Sequence, residues 1–188
     1  MKKNILLLII LIFEGGFSSE VLSQNNSIRT NLLNLVAKGP SLTFGKSIKK
    51  HSEILLTYSL GSFSPFFTED FYKYSTVHAE YRRKEISYSK LQFYYGYYLR
   101  YIHKRILSAG YTAGPYGIFS KEPRNFIGDG MSTGLTSGVE WSINKRWLID
   151  FNTLFGGGKY LSQIDYASHD KISFFLDTRI ALQLGFRF

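Results

Sequence analysis

The sequence predicts an all-β chain, an antiparallel transmembrane β-barrel of eight strands preceded by a cleaved signal peptide. Three observations carry that expectation. An apolar run, Ile5 to Phe13, follows Lys2 and Lys3. Downstream, apolar and polar residues alternate with a period of two, the mark of strands with one apolar face. The clearest of these runs is also the last, and it ends on an aromatic residue, Phe188.

The N-terminal run is too short for a membrane-spanning helix, which needs ~20 apolar residues. With Val21-Leu22-Ser23 supplying the positions a signal peptidase reads, it predicts a leader over 1–23, cleaved before Gln24, and a barrel domain over 24–188. Export changes the meaning of the net charge of +9 and the pI near 9.6, because an exported chain does not meet nucleic acid. The absence of cysteine excludes disulfides, thiolate metal sites, a cysteine nucleophile and a lipid anchor on an N-terminal cysteine. A mean hydropathy of -0.10 excludes a bundle of membrane helices but not a barrel.

The strands follow in order. The first, Ser27 to Val36, sets Ile28, Thr30 and Leu32 against Arg29 and Asn31. In the second, Leu42, Phe44 and Ile48 oppose Ser41, Thr43, Gly45 and Ser47, and in the third Ile54, Leu56, Tyr58 and Leu60 oppose Glu53, Thr57, Ser59 and Gly61. The fourth, Leu91 to Tyr101, places Phe93, Tyr95, Tyr97 and Leu99 opposite Gln92, Gly96 and Arg100. In the fifth, Leu107, Ala109, Tyr111 and Ala113 oppose Ser108, Gly110, Thr112 and Gly114. The sixth, Thr133 to Ile143, turns Leu135, Val139 and Trp141 away from Thr136, Gly138 and Glu140. The seventh sets Trp147, Ile149, Phe151 and Phe155 against Asp150 and Asn152. The eighth alternates from Ser173 to Phe188 with Leu176, Ile180, Leu184 and Phe186 on one face and Asp177, Arg179, Gln183 and Arg187 on the other. Strands of this length suit a tilted crossing of a bilayer, which takes ~9–11 residues, better than a soluble sheet.

The links are unequal. Lys49 to His51, His103 to Arg105 and Asn144 to Arg146 read as short periplasmic turns, and they repeat a basic motif: Ile48-Lys49-Lys50-His51, Ile102-His103-Lys104-Arg105 and Ile143-Asn144-Lys145-Arg146. Their lysines and arginines would form a basic rim against phospholipid headgroups. Ser64 to Lys90, Ser120 to Ser132 and Gly157 to Ile172 read as long outer loops, with Ala37 to Pro40 a short link on the same side.

The start Arg29-Thr30-Asn31-Leu32-Leu33-Asn34, the segment Gly39-Pro40-Ser41-Leu42, the strand Gly138-Val139-Glu140-Trp141-Ser142-Ile143 with its basic turn and Trp147, and the aromatic C-terminus resemble a family of small outer-membrane β-barrel proteins of unknown function. Their architecture is similar to that of eight-stranded OmpA/OmpX-like barrels. The resemblance covers nearly all of the chain after the leader. It implies the outer membrane of a Gram-negative-type envelope and transfers no catalytic, cofactor or metal residue. The terminal Phe188 also looks like the signal read by the barrel assembly machinery.

With the apolar faces toward outer-membrane lipid, Arg29, Arg100, Arg179 and Arg187 point inward with Glu53, Glu140, Asp150 and Asp177. An eight-stranded lumen is just wide enough to be filled by side chains, so these charges are expected to pair into a plug that closes it. Arg100 or Arg187 is the expected partner of Glu140 and Asp150. The function expected is therefore structural or surface-interacting, without catalytic, cofactor or metal residues. A lipid-modifying enzyme of the lipid A deacylase or acyltransferase type is the first alternative, and a secreted soluble barrel with its apolar faces around a small ligand is the second. For the enzyme, Ser168, His169, Asp170 and Ser173 offer a nucleophile, base and acid, but as sequence neighbours they read as a solvated loop. His51 and His103 fall in expected turns and His78 in the longest expected loop, with no metal-ligand spacing. Gly156-Gly157-Gly158-Lys159 lacks the rest of a phosphate loop and reads as a flexible exit from a strand. The Ser64 to Lys90 segment interleaves Phe66, Phe67, Phe71, Tyr72, Tyr74, Tyr81 and Tyr88 with charge, which suits a protein or glycan partner. Val77 to Tyr88 also reads as an extension of the hairpin above the membrane, its tyrosines forming the interface girdle, and an extra strand pair in the segment would raise the strand count to ten.

Overall fold

The computed structural model describes residues 26–36, 38–49, 51–64, 71–108, 111–113, 119–121, 124–166 and 173–188. The expected leader lies outside them. In chain order the elements are β1 (Asn26–Asn31), α1 (Leu32–Val36), β2 (Ser41–Lys49), β3 (Ser52–Phe63), β4 (Phe71–Tyr88), β5 (Leu91–Ser108), β6 (Tyr111–Ala113), β7 (Phe119–Lys121), β8 (Arg124–Ser142), β9 (Trp147–Asp165) and β10 (Phe174–Arg187). Among the described residues, eight of these strands close an antiparallel ring in the order β1-β2-β3-β4-β5-β8-β9-β10, and β6 and β7 form a separate two-stranded ribbon. The ring closes where β1 meets β10 from Ser27↔Arg187 to Asn31↔Gln183, and Asn26 and Phe188 exchange both backbone hydrogen bonds, at 3.2 and 3.0 Å.

Closure pairs the backbone of neighbouring strands within the wall, the condition for crossing a lipid phase, except along the part of β10 before Gln183, where β1 has ended. The alternation then sorts side chains inside out. Ile28, Leu42, Ile54, Tyr97, Leu99, Leu135, Phe151, Leu176 and Ile180 are exposed on the outer surface, whereas Arg29, Thr43, Glu53, Thr57, Glu140, Asp150, Asn152 and Asp177 are buried in the lumen. The soluble alternative needed the opposite sorting and is excluded. Trp141 and Trp147 mark one end of the apolar belt, beside the short turns. At the other, the loop end, the outward face turns polar. There Tyr101, His103 and Ser162 hydrogen-bond the Asp129 carboxylate at 2.7, 2.8 and 2.9 Å. Partial burial raises that carboxyl, and the three hydrogen bonds outweigh it, so Asp129 is held below its usual range.

Eight strands were expected and eight are found, but they are not the same eight. β4 lies in the segment expected as a surface loop. It pairs with β3 from Phe63↔Tyr72 to Ser52↔Arg83 and with β5 from Phe71↔Leu107 to Tyr88↔Leu91, so it is barrel wall. Its inward residues His78, Glu80 and Arg82 are polar, but its outward set includes Lys73, Ser75 and Arg83, so the contrast between its faces is weak. Conversely, His103 to Arg105 is not a turn: β5 runs through it, with His103↔Asp129 and Arg105↔Ile127 on β8. The expected fifth strand is divided, Leu107 and Ser108 completing β5 and 111–113 joining the ribbon. Residues 124–132 and 157–165, expected as loops, extend β8 and β9.

The first strand also ends early. Asn31 Oδ1 accepts the Leu33 N–H at 3.2 Å, an Asx cap that starts α1, and Lys38 with φ of 49° then turns the chain toward β2. The basic motif therefore marks two turns, not three. The turn between β4 and β5 is Ser89 and Lys90, with Ser89 at φ 57°, while Lys104 and Arg105 sit toward the loop end of the barrel. The rim beside the turns carries Lys49, Lys90, Lys145 and Arg146.

These assignments predict two deletions with opposite results. Removing 77–83 from β4 should abolish the heat-modifiable folded band on a gel, whereas removing the ribbon segment 111–121 should leave it.

Candidate functional site: the charged lumen

The lumen divides into two halves. Toward the turns, β1 contributes Arg29, β3 Glu53, β4 Glu80, Arg82 and Lys84, β8 Glu140, β9 Asp150 and β10 Arg187. Arg29 places Nη1 3.1 Å from both Glu140 and Asp150, bonds Glu53 through Nη2, and donates from Nε to Ser27 Oγ at 3.2 Å. Arg82 donates to Asp150 and to Glu80, each at 2.7 Å, and its guanidinium lies 4.3 Å from the centre of the Tyr94 ring. Lys84 bridges Glu53 at 3.2 Å and Glu140 at 3.1 Å, and Arg187 pairs with Glu140. The Tyr94 hydroxyl donates to Asp150 at 2.5 Å. Four cations thus meet four carboxylates, and each carboxylate touches at least one cation. Buried ions are tolerated only in such company, because unpaired ions cost several kcal/mol each.

Toward the loops the set is sparser. Asp177 accepts from Arg100, from Ser132 and from the Tyr98 hydroxyl at 3.0 Å. Arg179 Nη1 lies 3.2 Å from His78 Nδ1, and His78 Nε2 lies 2.7 Å from Glu80. Above them Lys104 stands 5.0–5.8 Å from the rings of Phe126, Tyr160 and Phe175, which pack against one another.

Glycines make room for the rings. Tyr94 faces Gly138 across the β5–β8 pair, and a Cβ on Gly138 would collide with both the tyrosine oxygen and the Phe151 carbonyl. Tyr98 reaches Gly156 in the same way. The Gly156-Gly157-Gly158 run is therefore not a flexible exit but the middle of β9, paired with both β8 and β10.

All eight charges expected inside line the lumen. Their partners differ in part: Arg187 does meet Glu140, but Arg100 goes to Asp177, and Asp150 is held by Arg29 and Arg82. His78, Glu80, Arg82 and Lys84 were missed because their segment read as a loop. The alternation of Val77, Ala79 and Tyr81 with them was the available signal. His78, expected to be solvated, is fully buried, His103 is an exposed strand residue, and His51 lies exposed in its turn. Ser168, His169 and Asp170 lie outside the described residues, and Ser173 is exposed just before β10.

A charge-filled lumen inside an aromatic and aliphatic belt defines the transmembrane β-barrel class. The chain belongs to the family described as protein of unknown function (DUF3575), which matches residues 5–184. Among curated proteins none matches the sequence. Solved structures with a similar outline include Neisserial surface protein A, at 10% identity and a TM-score of 0.49 over 87% of this chain and 93% of that one. The attachment invasion locus protein Ail of Yersinia pestis gives 12% and 0.43 over 87% and 93%. A major outer membrane protein from Thermus thermophilus gives 8% and 0.48 over 87% and 98%.

Proposed function

We propose that this protein is an integral barrel of the outer membrane in a Gram-negative-type envelope, with a structural or surface-interaction role, a closed lumen and no catalytic activity. The observation that carries the proposal is the balanced plug of Arg29, Arg82, Lys84 and Arg187 with Glu53, Glu80, Glu140 and Asp150, which occupies the space an ion would need. The belt meets outer-membrane lipid, and Phe188, at the ring seam, serves the assembly machinery. The surface for a protein or glycan partner is the outer end of the long strands rather than the whole of Ser64 to Lys90. There Phe71, Lys73, His103, Arg105 and Leu107 are exposed.

The protein should leave membranes only with detergent and shift on gels when heated. In planar bilayers it should give no single-channel steps, and stable steps would overturn the closed lumen. Overexpression should leave the lipid A mass profile unchanged.

A further inference from the structure

We propose that the loop-side half of the lumen is a binding site for one oxyanion group, a phosphate or a carboxylate, held between the guanidinium groups of Arg179 and Arg100. The charge balance points there. The turn-side half is neutral, four against four, whereas around the cavity Arg100 and Arg179 face Asp177, with Lys104 and the buried Asp165 closer to the loops. Asp177 is already committed to Arg100, Ser132 and Tyr98. His78 adds no negative charge in any protonation state: Arg179 Nη1 lies 3.2 Å from its Nδ1 and 3.4 Å from its Nε2, and Nε2 lies 2.7 Å from Glu80. Arg179 has no carboxylate within ion-pairing distance among the described residues.

Among the described residues three guanidinium nitrogens are shielded from solvent and have no acceptor, Arg82 Nη2 in the turn-side half and Arg100 Nε and Arg179 Nη2 in this chamber. Arg100 as a whole is only 8% exposed. Buried charged donors without acceptors are rare in folded proteins, and a ligand oxygen is one explanation of such a pair. Both residues line a cavity of about 270 Å³, together with Asn31, Ser59, Tyr74 and Thr76. Since a water occupies ~30 Å³ of liquid, the space exceeds that of a small oxyanion. The Asn31 amide and the Thr76 hydroxyl also line it, the Tyr74 hydroxyl being given to Asn34, and an arginine fork suits a carboxylate or phosphate edge. One bound negative charge would bring the chamber to neutrality.

Access follows from the short first strand. β1 stops at Asn31, opposite Gln183, so β10 from 174 to 182 has no β1 partner, and α1 lies there instead. Leu33 of α1 and Thr178 and Ile180 of β10 line the same cavity, which therefore reaches the outer wall at that seam. The oxyanion can arrive on a small solute from outside or on a lipid headgroup through the seam.

The test uses the full folded protein labelled with ¹⁵N-arginine in neutral detergent, titrated with inorganic phosphate and, separately, with acetate at constant ionic strength. Saturable shifts of the Arg100 and Arg179 side-chain resonances are expected. Arg179→Gln should weaken binding at least about tenfold, or 1.4 kcal/mol. Asp177→Asn, which releases Arg100, should tighten it. Absence of saturable shifts in the wild type overturns the proposal, as does unchanged or weaker binding in folded Asp177→Asn. The second variant decides the matter should Arg179→Gln not fold. Transfer from a phosphate-free detergent into phospholipid nanodiscs separates the sources: a lipid source moves the two resonances before solute is added, whereas a solute source needs phosphate or acetate in both.

Discussion

Asp150→Ala is expected to destabilise the barrel by about 3–5 kcal/mol, the usual cost of removing one partner from a buried ion network. Urea unfolding from lipid vesicles measures it. Asp150 alone receives Arg29 at 3.1 Å, Arg82 at 2.7 Å and the Tyr94 hydroxyl at 2.5 Å. Its loss leaves two buried guanidinium groups facing each other with one fewer carboxylate between them. Since folded domains are stable by only about 5–15 kcal/mol, the loss is a large share of the total. Replacing Arg82 and Asp150 together by Met and Leu should not recover the loss, because Glu80 then loses the Arg82 guanidinium 2.7 Å away and stays buried without a cation. The exposed pair Arg83–Glu85, 2.9 Å apart with side chains 59% and 45% exposed, gives the contrast. Its disruption should cost less than about 1 kcal/mol. Equal effects at the two sites would refute the plug as a source of stability.

Gly138→Val should be nearly as damaging, at about 3–5 kcal/mol from overpacking together with the lost hydrogen bond to a charged acceptor. The added carbons collide with the Phe151 carbonyl, which belongs to a paired strand and cannot yield, and with the Tyr94 hydroxyl. Displacing Tyr94 then weakens Asp150, so the two variants share one mechanism. Gly157→Ala is the control. Its side chain points outward and would find only the Phe175 carbonyl, 3.9 Å away, so a change within about 0.5 kcal/mol is expected. Comparable losses for both glycines would show that backbone freedom, not ring clearance, selects glycine in this wall.

The period of two made most of the wall legible, and with it the inward set Arg29, Glu53, Arg100, Glu140, Asp150, Asp177, Arg179 and Arg187. Facing in a strand is a local property, decided by the neighbours at i±1. What stayed hidden was β4, where Lys73, Ser75 and Arg83 share the outer face with Val77, Ala79 and Tyr81. Above the lipid belt an outward residue need not be apolar, so the contrast that reveals a strand fades as the strand leaves the membrane. The same effect hid the outer stretches of β8 and β9 and produced a false turn at His103. Partner choice was less legible than facing. Asp150 takes Arg82 rather than Arg100 because β4 supplies a cation there, and no spacing within one strand encodes what another strand brings alongside.

The seam between β1 and β10 has a kinetic consequence. It joins the first and last strands of the ring through five register pairs, whereas β5 and β8 share eighteen. Contacts between distant parts of a chain carry the largest loop-closure cost, and here they return far fewer hydrogen bonds than the β5–β8 pair. The hairpins β4–β5 and β8–β9 can zip as soon as each is made. The cylinder itself waits for β10, so this join forms last, and a ring that closes last through a short contact is also the one that parts first.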